Sequence, residues 1–147
     1  RLARVRGHHS DQEAEARDWC SEIAWCRMSH RKNGQPIHIL HSFHVKYPHG
    51  IAMLVVGRSM EPTLRDDDGV LIDTAQTDPS AGEIVCVDCP ALGGRLVGRF
   101  HRSQRGAWLA KDNESFPTMF LGPSDRYSIL GTVVALCARD TTTPKTV

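Results

Sequence analysis

Gly57-Arg58-Ser59-Met60-Glu61-Pro62-Thr63-Leu64, continuing into Arg65-Asp66-Asp67-Asp68-Gly69-Val70-Leu71-Ile72-Asp73, is the stretch on which the reading of the fold turns. The apolar run Met53-Leu54-Val55-Val56 leads into it and reads as a strand that stops at a glycine. Two residues later stands Ser59. Pro62 fits the first turn of a short helix, where its missing N–H is no loss. A serine between strand end and helix start exposes its hydroxyl. The backbone N–H groups of Arg58, Ser59 and Met60 are then candidates to face a developing oxyanion. The logic is that of a nucleophile elbow, although the sequence is not G-x-S-x-G. A lone serine before a proline-containing turn is most often an N-cap, so the surrounding blocks have to decide its role.

Outward from this stretch, short apolar runs alternate with turn signals. Strands are expected at Ile37–Val45, Ile51–Val56, Val70–Asp73, Ile84–Asp88, Arg95–His101, Trp108–Lys111 and Ile129–Leu136. Asp66-Asp67-Asp68-Gly69, Asp78-Pro79-Ser80-Ala81-Gly82, Gly93-Gly94 and Gly122-Pro123 separate them. Many short strands with such connections predict a mainly β domain, a β-rich α+β fold with a coiled sheet, and not a parallel α/β sheet.

Residues 1–36 differ in texture and are expected to form a helical or linker segment ahead of a domain at 37–140 and a loose tail at 141–147. Ser10-Asp11-Gln12-Glu13 has the capping-box form. Ala16, Trp19, Ile23 and Cys26 follow at helical spacing, and Asn33-Gly34 is a plausible stop. This predicts one N-terminal helix. One helix is not a helix-turn-helix, so no DNA-binding motif can be claimed.

The 147 residues suit one domain with a real core, and 40% hydrophobic with 24% charged residues is ordinary for a globular chain. A formal net charge of +1 gives no electrostatic reason to expect direct nucleic-acid binding. No apolar run reaches the ~20 residues that a membrane-spanning helix needs, and no export-signal pattern stands at the start. The five cysteines show no small-scaffold spacing, so free thiols in a reducing, cytoplasmic setting are expected.

The order of motifs resembles the LexA-like self-cleaving repressor family and its relatives, the type I signal peptidases. Ser59-Met60-Glu61-Pro62-Thr63-Leu64 with the following Asp66–Asp73 run carries the resemblance first. Gly82-Glu83-Ile84-Val85-Cys86-Val87 resembles the family's Gly-Asp/Glu-Ile-Val strand. Leu96-Val97-Gly98-Arg99-Phe100 resembles its Val-Lys-Arg strand. Asp112-Asn113-Glu114-Ser115-Phe116-Pro117 resembles the repressor branch's Asp-Asn-x-x-Tyr-Pro, and Gly131-Thr132-Val133-Val134 its closing strand. The resemblance implies a serine-peptidase domain with Ser59 as nucleophile and a homodimer. It implies a polypeptide segment, its own or a partner's, as substrate, and contact with DNA only through a domain outside this chain. No membrane partner, cofactor or metal is expected.

The same resemblance exposes a departure. The family's base is a lysine, or a histidine in some signal peptidases, one residue before the arginine of the Val-Lys-Arg strand. Here that position is Gly98, which cannot accept a proton. Arg99 stays protonated and offers no lone pair, and strand alternation points both it and His101 away from the side of position 98. No lysine lies between Lys46 and Lys111. Lys111, directly before Asp112-Asn113, is the one substitute base within the blocks; otherwise it is a surface lysine at a strand end. Self-cleaving members cut an Ala-Gly or Cys-Gly bond upstream of the serine. The upstream candidates Arg6-Gly7, Asn33-Gly34 and His49-Gly50 do not match, and the Ala81-Gly82 pair lies in a later turn. The leading expectation is therefore a repressor's regulatory domain with an impaired self-cleavage site. The alternatives are an active endopeptidase using Ser59 with a relocated base, and a peptide-binding module without chemistry.

Other constellations are weaker. Cys86-Val87-Asp88-Cys89 is a lone C-x-x-C on an expected strand, where residues three apart face opposite sides, so zinc binding with His101 or redox chemistry is disfavoured. His38, His41, His44 and His49 cluster in sequence and read as solvated or core-edge residues, with metal binding the alternative. Trp19 and Trp25 read as packing residues.

Overall fold

The computed structural model describes residues 46–123, 125–138 and 145–147, together with the backbone of 22–25. Nine strands appear among them: β1 (Glu22–Trp25), β2 (Gly50–Val56), β3 (Gly69–Asp73), β4 (Ile84–Cys89), β5 (Gly94–Ser103), β6 (Gly106–Ala110), β7 (Met119–Leu121), β8 (Ser128–Cys137) and β9 (Lys145–Thr146). A 3-10 turn, Pro90–Leu92, joins β4 to β5. The strands form one antiparallel sheet in the order β1-β2-β3-β8-β4-β5-β6-β7, with β9 on β8. Because β1 also pairs with β5, through Glu22 and Leu96, the path from β1 through β2, β3, β8, β4 and β5 closes on itself. Closure removes the edges that an open sheet would leave. The mainly β expectation is therefore met.

The continuous apolar runs have a physical reason in this closure: both faces of the central strands are buried. Met53, Val55, Val70, Ile72, Cys86 and Val97 share one core cluster with Met60 and Leu64. Their neighbours at odd offset belong elsewhere. Val85, Val87, Leu96 and Phe100 pack with Leu109 and Leu121, and Leu54 and Leu71 pack with Val134 and Ala135. Each large apolar side chain buried in this way contributes about 1.5–3 kcal/mol.

The N-terminal expectation needs a correction. Glu22–Trp25, read from periodicity as the far part of a helix, is a strand paired with Val56–Met53. All four residues pair with β2 and Glu22 also pairs with Leu96 of β5, and such tertiary pairing overrides a local helical pattern. Residues 10–21 and 26–34 of the expected helix lie outside the described residues, as do the expected strand Ile37–Val45 and His38, His41 and His44. In the tail, Lys145–Thr146 pairs with Ala135 and Leu136 of β8. The three-residue β7 was not expected; it pairs with β6 through Ala107–Leu121, Trp108–Phe120 and Leu109–Met119.

Candidate active site

Gly57 ends β2 with φ 97°, a left-handed conformation that favours glycine. Its N–H donates to Asp66 Oδ1 at 3.0 Å. The Asp66–Asp68 run is thus a clamp for the loop that carries Ser59. Asp67 N–H donates to the Val55 carbonyl at 2.8 Å, Val55 N–H to the Asp68 carbonyl at 2.9 Å, and Arg65 N–H to Asp68 Oδ2 at 2.7 Å. Between clamp and strand, residues 57–64 form successive turns and not the short helix expected at Pro62. Glu61 N–H donates to the Arg58 carbonyl at 3.1 Å, Leu64 N–H to the Met60 carbonyl at 2.9 Å, and the Glu61–Pro62 peptide is cis. Ser59 is completely buried, against the exposed hydroxyl expected at this turn, because Met60 and Leu64 on the same turn are themselves drawn completely into the interior. Met60 and Leu64 anchor the turn in the same core cluster as Val97.

The segment after β6 is fastened to this turn. Asn113 N–H donates to the Ser59 carbonyl at 3.0 Å, and Asn113 Nδ2 to the Arg58 carbonyl at 3.1 Å. Thr63, four residues past Ser59, donates its hydroxyl proton to Asp112 Oδ2. Asp112 accepts two further bonds from Arg99, Nε to Oδ1 at 2.7 Å and Nη2 to Oδ2 at 3.0 Å. Arg99 Nη1 reaches the Gly82 carbonyl at 2.9 Å. Burial alone would push the Asp112 carboxyl up. The hydrogen bonds from Arg99 and Thr63, with the Arg99 charge, outweigh it and hold the carboxyl below its ordinary range. The hydrogen bonds to Asp112 in turn prevail over burial and keep the guanidinium more firmly protonated. Arg99 is therefore a brace tying β5 and the Asp78–Gly82 turn to the serine segment, a role its sequence position alone did not disclose. The Arg99–Asp112–Thr63 network joins three of the recognised blocks, and its only sequence signal was their co-occurrence.

At Gly98 the neighbouring strand leaves little space for a side chain. Leu96 and Phe100, on the same face of β5, pack with Leu109, whereas Val97 packs with Met60 on the other face. A Cβ built on Gly98 would stand 2.9 Å from Leu109 Cβ and 3.2 Å from the Ala110 carbonyl oxygen. A side chain at 98 would thus start into β6 on the Leu109 face. β6 has closed against the glycine backbone.

Lys111 occupies the neighbouring place. The β5–β6 register pairs Arg99 with Ala110, so one further step sets Lys111 beside Gly98. Its Nζ donates to the Val97 carbonyl at 2.6 Å in a part-buried setting. His101 is in a different environment, stacked on Trp108 with ring centroids 5.5 Å apart. Cys86 and Cys89 are both buried but belong to separate core clusters, so their side chains do not converge. Among the described residues, no three His, Cys, Asp or Glu side chains group as a metal site.

A closed β domain whose serine turn is held by an Asp-Asn segment and an arginine defines a LexA-like serine-peptidase domain. The chain belongs to the Peptidase S24-like family, whose sequence profile matches residues 24–134. That match begins within β1 and covers most of the chain. No curated protein matches the chain. Among the described residues, no helix is long and apolar enough to cross a membrane.

Proposed function

We propose that this chain is the regulatory, self-associating domain of a LexA-like transcriptional repressor, with a serine-peptidase site that acts on an extended polypeptide segment. The observation that carries the reading is the placement of β1. Glu22–Trp25 lies as an extended strand along Val56–Met53, directly before the Ser59 turn, and touches Leu96, two residues before Gly98. The side of β2 that leads into the Ser59 turn therefore already holds an extended segment of this chain by antiparallel pairing, the way a polypeptide is held by β-addition. In this reading Ser59 Oγ attacks a peptide carbonyl, and backbone N–H groups of Arg58, Ser59 and Met60 stabilise the oxyanion. Contact with DNA belongs to a domain outside this chain, the active unit is a homodimer, and the setting is cytoplasmic.

Gly98 is the specific observation that favours an inert domain instead, because residue 98 cannot serve as base. Intact-mass measurement after incubation from neutral to alkaline pH separates the two readings, with Ser59→Ala as control. Fragments from the parent chain that are absent in Ser59→Ala support the peptidase. No serine-dependent fragment at any pH would leave the regulatory fold without chemistry.

A further inference from the structure

We propose that Lys111 is the general base for Ser59, the role having moved from β5 to the end of β6. The inference rests on the reading of Ser59 as a peptidase nucleophile. Three observations support it. First, the backbone at Gly98 has no room for a side chain, because Leu109 Cβ and the Ala110 carbonyl oxygen already lie within 2.9 and 3.2 Å of where its Cβ would be. Second, the Lys111 amine is delivered to β5 itself, on the carbonyl of Val97, adjacent to Gly98. Third, Lys111 heads the short segment whose Asn113 bonds the Ser59 and Arg58 carbonyls and whose Asp112 bonds Thr63. The lysine and the serine turn are parts of one hydrogen-bonded unit.

The contact to Val97 suits the chemistry. A neutral amine keeps two N–H donors and gains one lone pair. One N–H remaining on the Val97 carbonyl restricts the directions in which that lone pair can point. As Ser59 Oγ bonds to the substrate carbonyl carbon, its proton passes to Lys111 Nζ. The resulting ammonium returns that proton to the departing amine as the peptide C–N bond breaks. Water then attacks the acyl-serine, giving a proton to the amine, which passes it back to Ser59 Oγ as the ester opens. The sum is hydrolysis of one peptide bond, with one water consumed and Lys111 regenerated.

The charged groups on the elements around Lys111 are Asp112 beside it, Arg99 on β5, and Arg58 with Glu61 on the serine turn. Asp112 is committed to Arg99 and Thr63, and Arg58 Nε lies 3.4 Å from Glu61. A pH profile controlled by residue 111 is therefore read beside the Arg99–Asp112 and Arg58–Glu61 contacts.

The test uses the full chain with Ser59→Cys, alone and combined with Lys111→Met. Because position 59 is completely buried, ionisation of the introduced thiol is followed against pH by its ultraviolet thiolate absorbance, as the difference from the parent chain, which subtracts the five native cysteines. An ammonium facing residue 59 favours the thiolate, so Lys111→Met is expected to move the midpoint of this ionisation up by about one unit or more. An unmoved midpoint overturns the proposal. In the parent chain, which keeps Ser59, serine-dependent fragmentation is expected to rise with pH as the amine loses its proton, and to vanish in both Lys111→Met and Lys111→Arg. The arginine variant keeps charge and length but has no lone pair to offer, and it serves if the methionine variant fails to fold. Fragmentation that persists at the parent rate in either folded variant also overturns the proposal. A shifted thiol midpoint with no fragmentation of the parent chain would uphold Lys111 opposite residue 59 and reject the peptidase reading instead.

Discussion

Replacing Gly98 with alanine adds one methyl group where β5 and β6 already touch. The added Cβ would meet Leu109 Cβ at 2.9 Å and the Ala110 carbonyl oxygen at 3.2 Å. Neither is the free end of a flexible side chain, so the strands themselves must part. Overpacking of this kind costs about 1–3 kcal/mol. Alanine recovers about 0.5–1 kcal/mol of that through the lower backbone entropy of its unfolded state. The net expectation is a loss of about 1–2 kcal/mol, which for a chain of this size lowers Tm by about 3–6 °C. Thermal unfolding of Gly98→Ala beside the parent, with a urea titration to confirm an unchanged m-value, measures it. Gly98→Lys should lose more, because its whole chain must follow that Cβ, and should not restore serine-dependent cleavage. A Tm for Gly98→Ala at or above the parent's would refute the reasoning. It would mean that β6 yields to a side chain at 98 and that the glycine is not dictated by packing.

Two further outcomes follow from the ionisable groups. Asp112→Asn removes the charged partner of Arg99 and should destabilise the fold at pH 7 by about 1–2 kcal/mol, allowing for the partial exposure of the guanidinium. Because the native Asp112 carboxyl sits below its ordinary value of 3.8, its contribution is present above that value and fades as pH falls through the lower native one. The gap in urea midpoint between parent and variant should therefore narrow below about pH 4, and a gap independent of pH would count against the ion pair. Burial pushes the Cys86 thiol up from 9.0 to about 12, with Arg95 lowering it and Asp88 raising it by smaller effects. Between those values the unfolded chain ionises while the native one does not, so stability should decline with a slope of up to about 1.4 kcal/mol per pH unit from this group. Cys86→Ala should have a shallower alkaline decline than the parent in urea midpoints from about pH 7.5 to about 10.5, a range that brackets the ordinary thiol value; parallel curves would show that Cys86 is not the source.

Most strands could be read from local pattern because each is a run of apolar residues closed by glycine or acidic turns, as with Gly50–Val56 and Gly69–Asp73. The short pieces could not. Glu22–Trp25, Met119–Leu121 and Lys145–Thr146 contain too few residues for periodicity to register, and each is a strand because a longer neighbour offers it hydrogen bonds. Sequence alone also determined the family through the order of its blocks, marked Ser59, and showed that residue 98 carries no proton acceptor. It did not show what those facts mean together. Arg99 and Asp112 are 13 residues apart, and Thr63 and Asp112 are 49 apart, so their network exists only once β5, β6 and the serine turn have met. The same holds at the base position. A glycine in a one-dimensional pattern reads as a loss, whereas the structure shows that β6 crowds this glycine and that the Lys111 amine reaches the carbonyl next to it. Composition and order specify which groups the chain possesses; only antiparallel pairing, which brings distant residues within hydrogen-bonding range, decides which of them face each other.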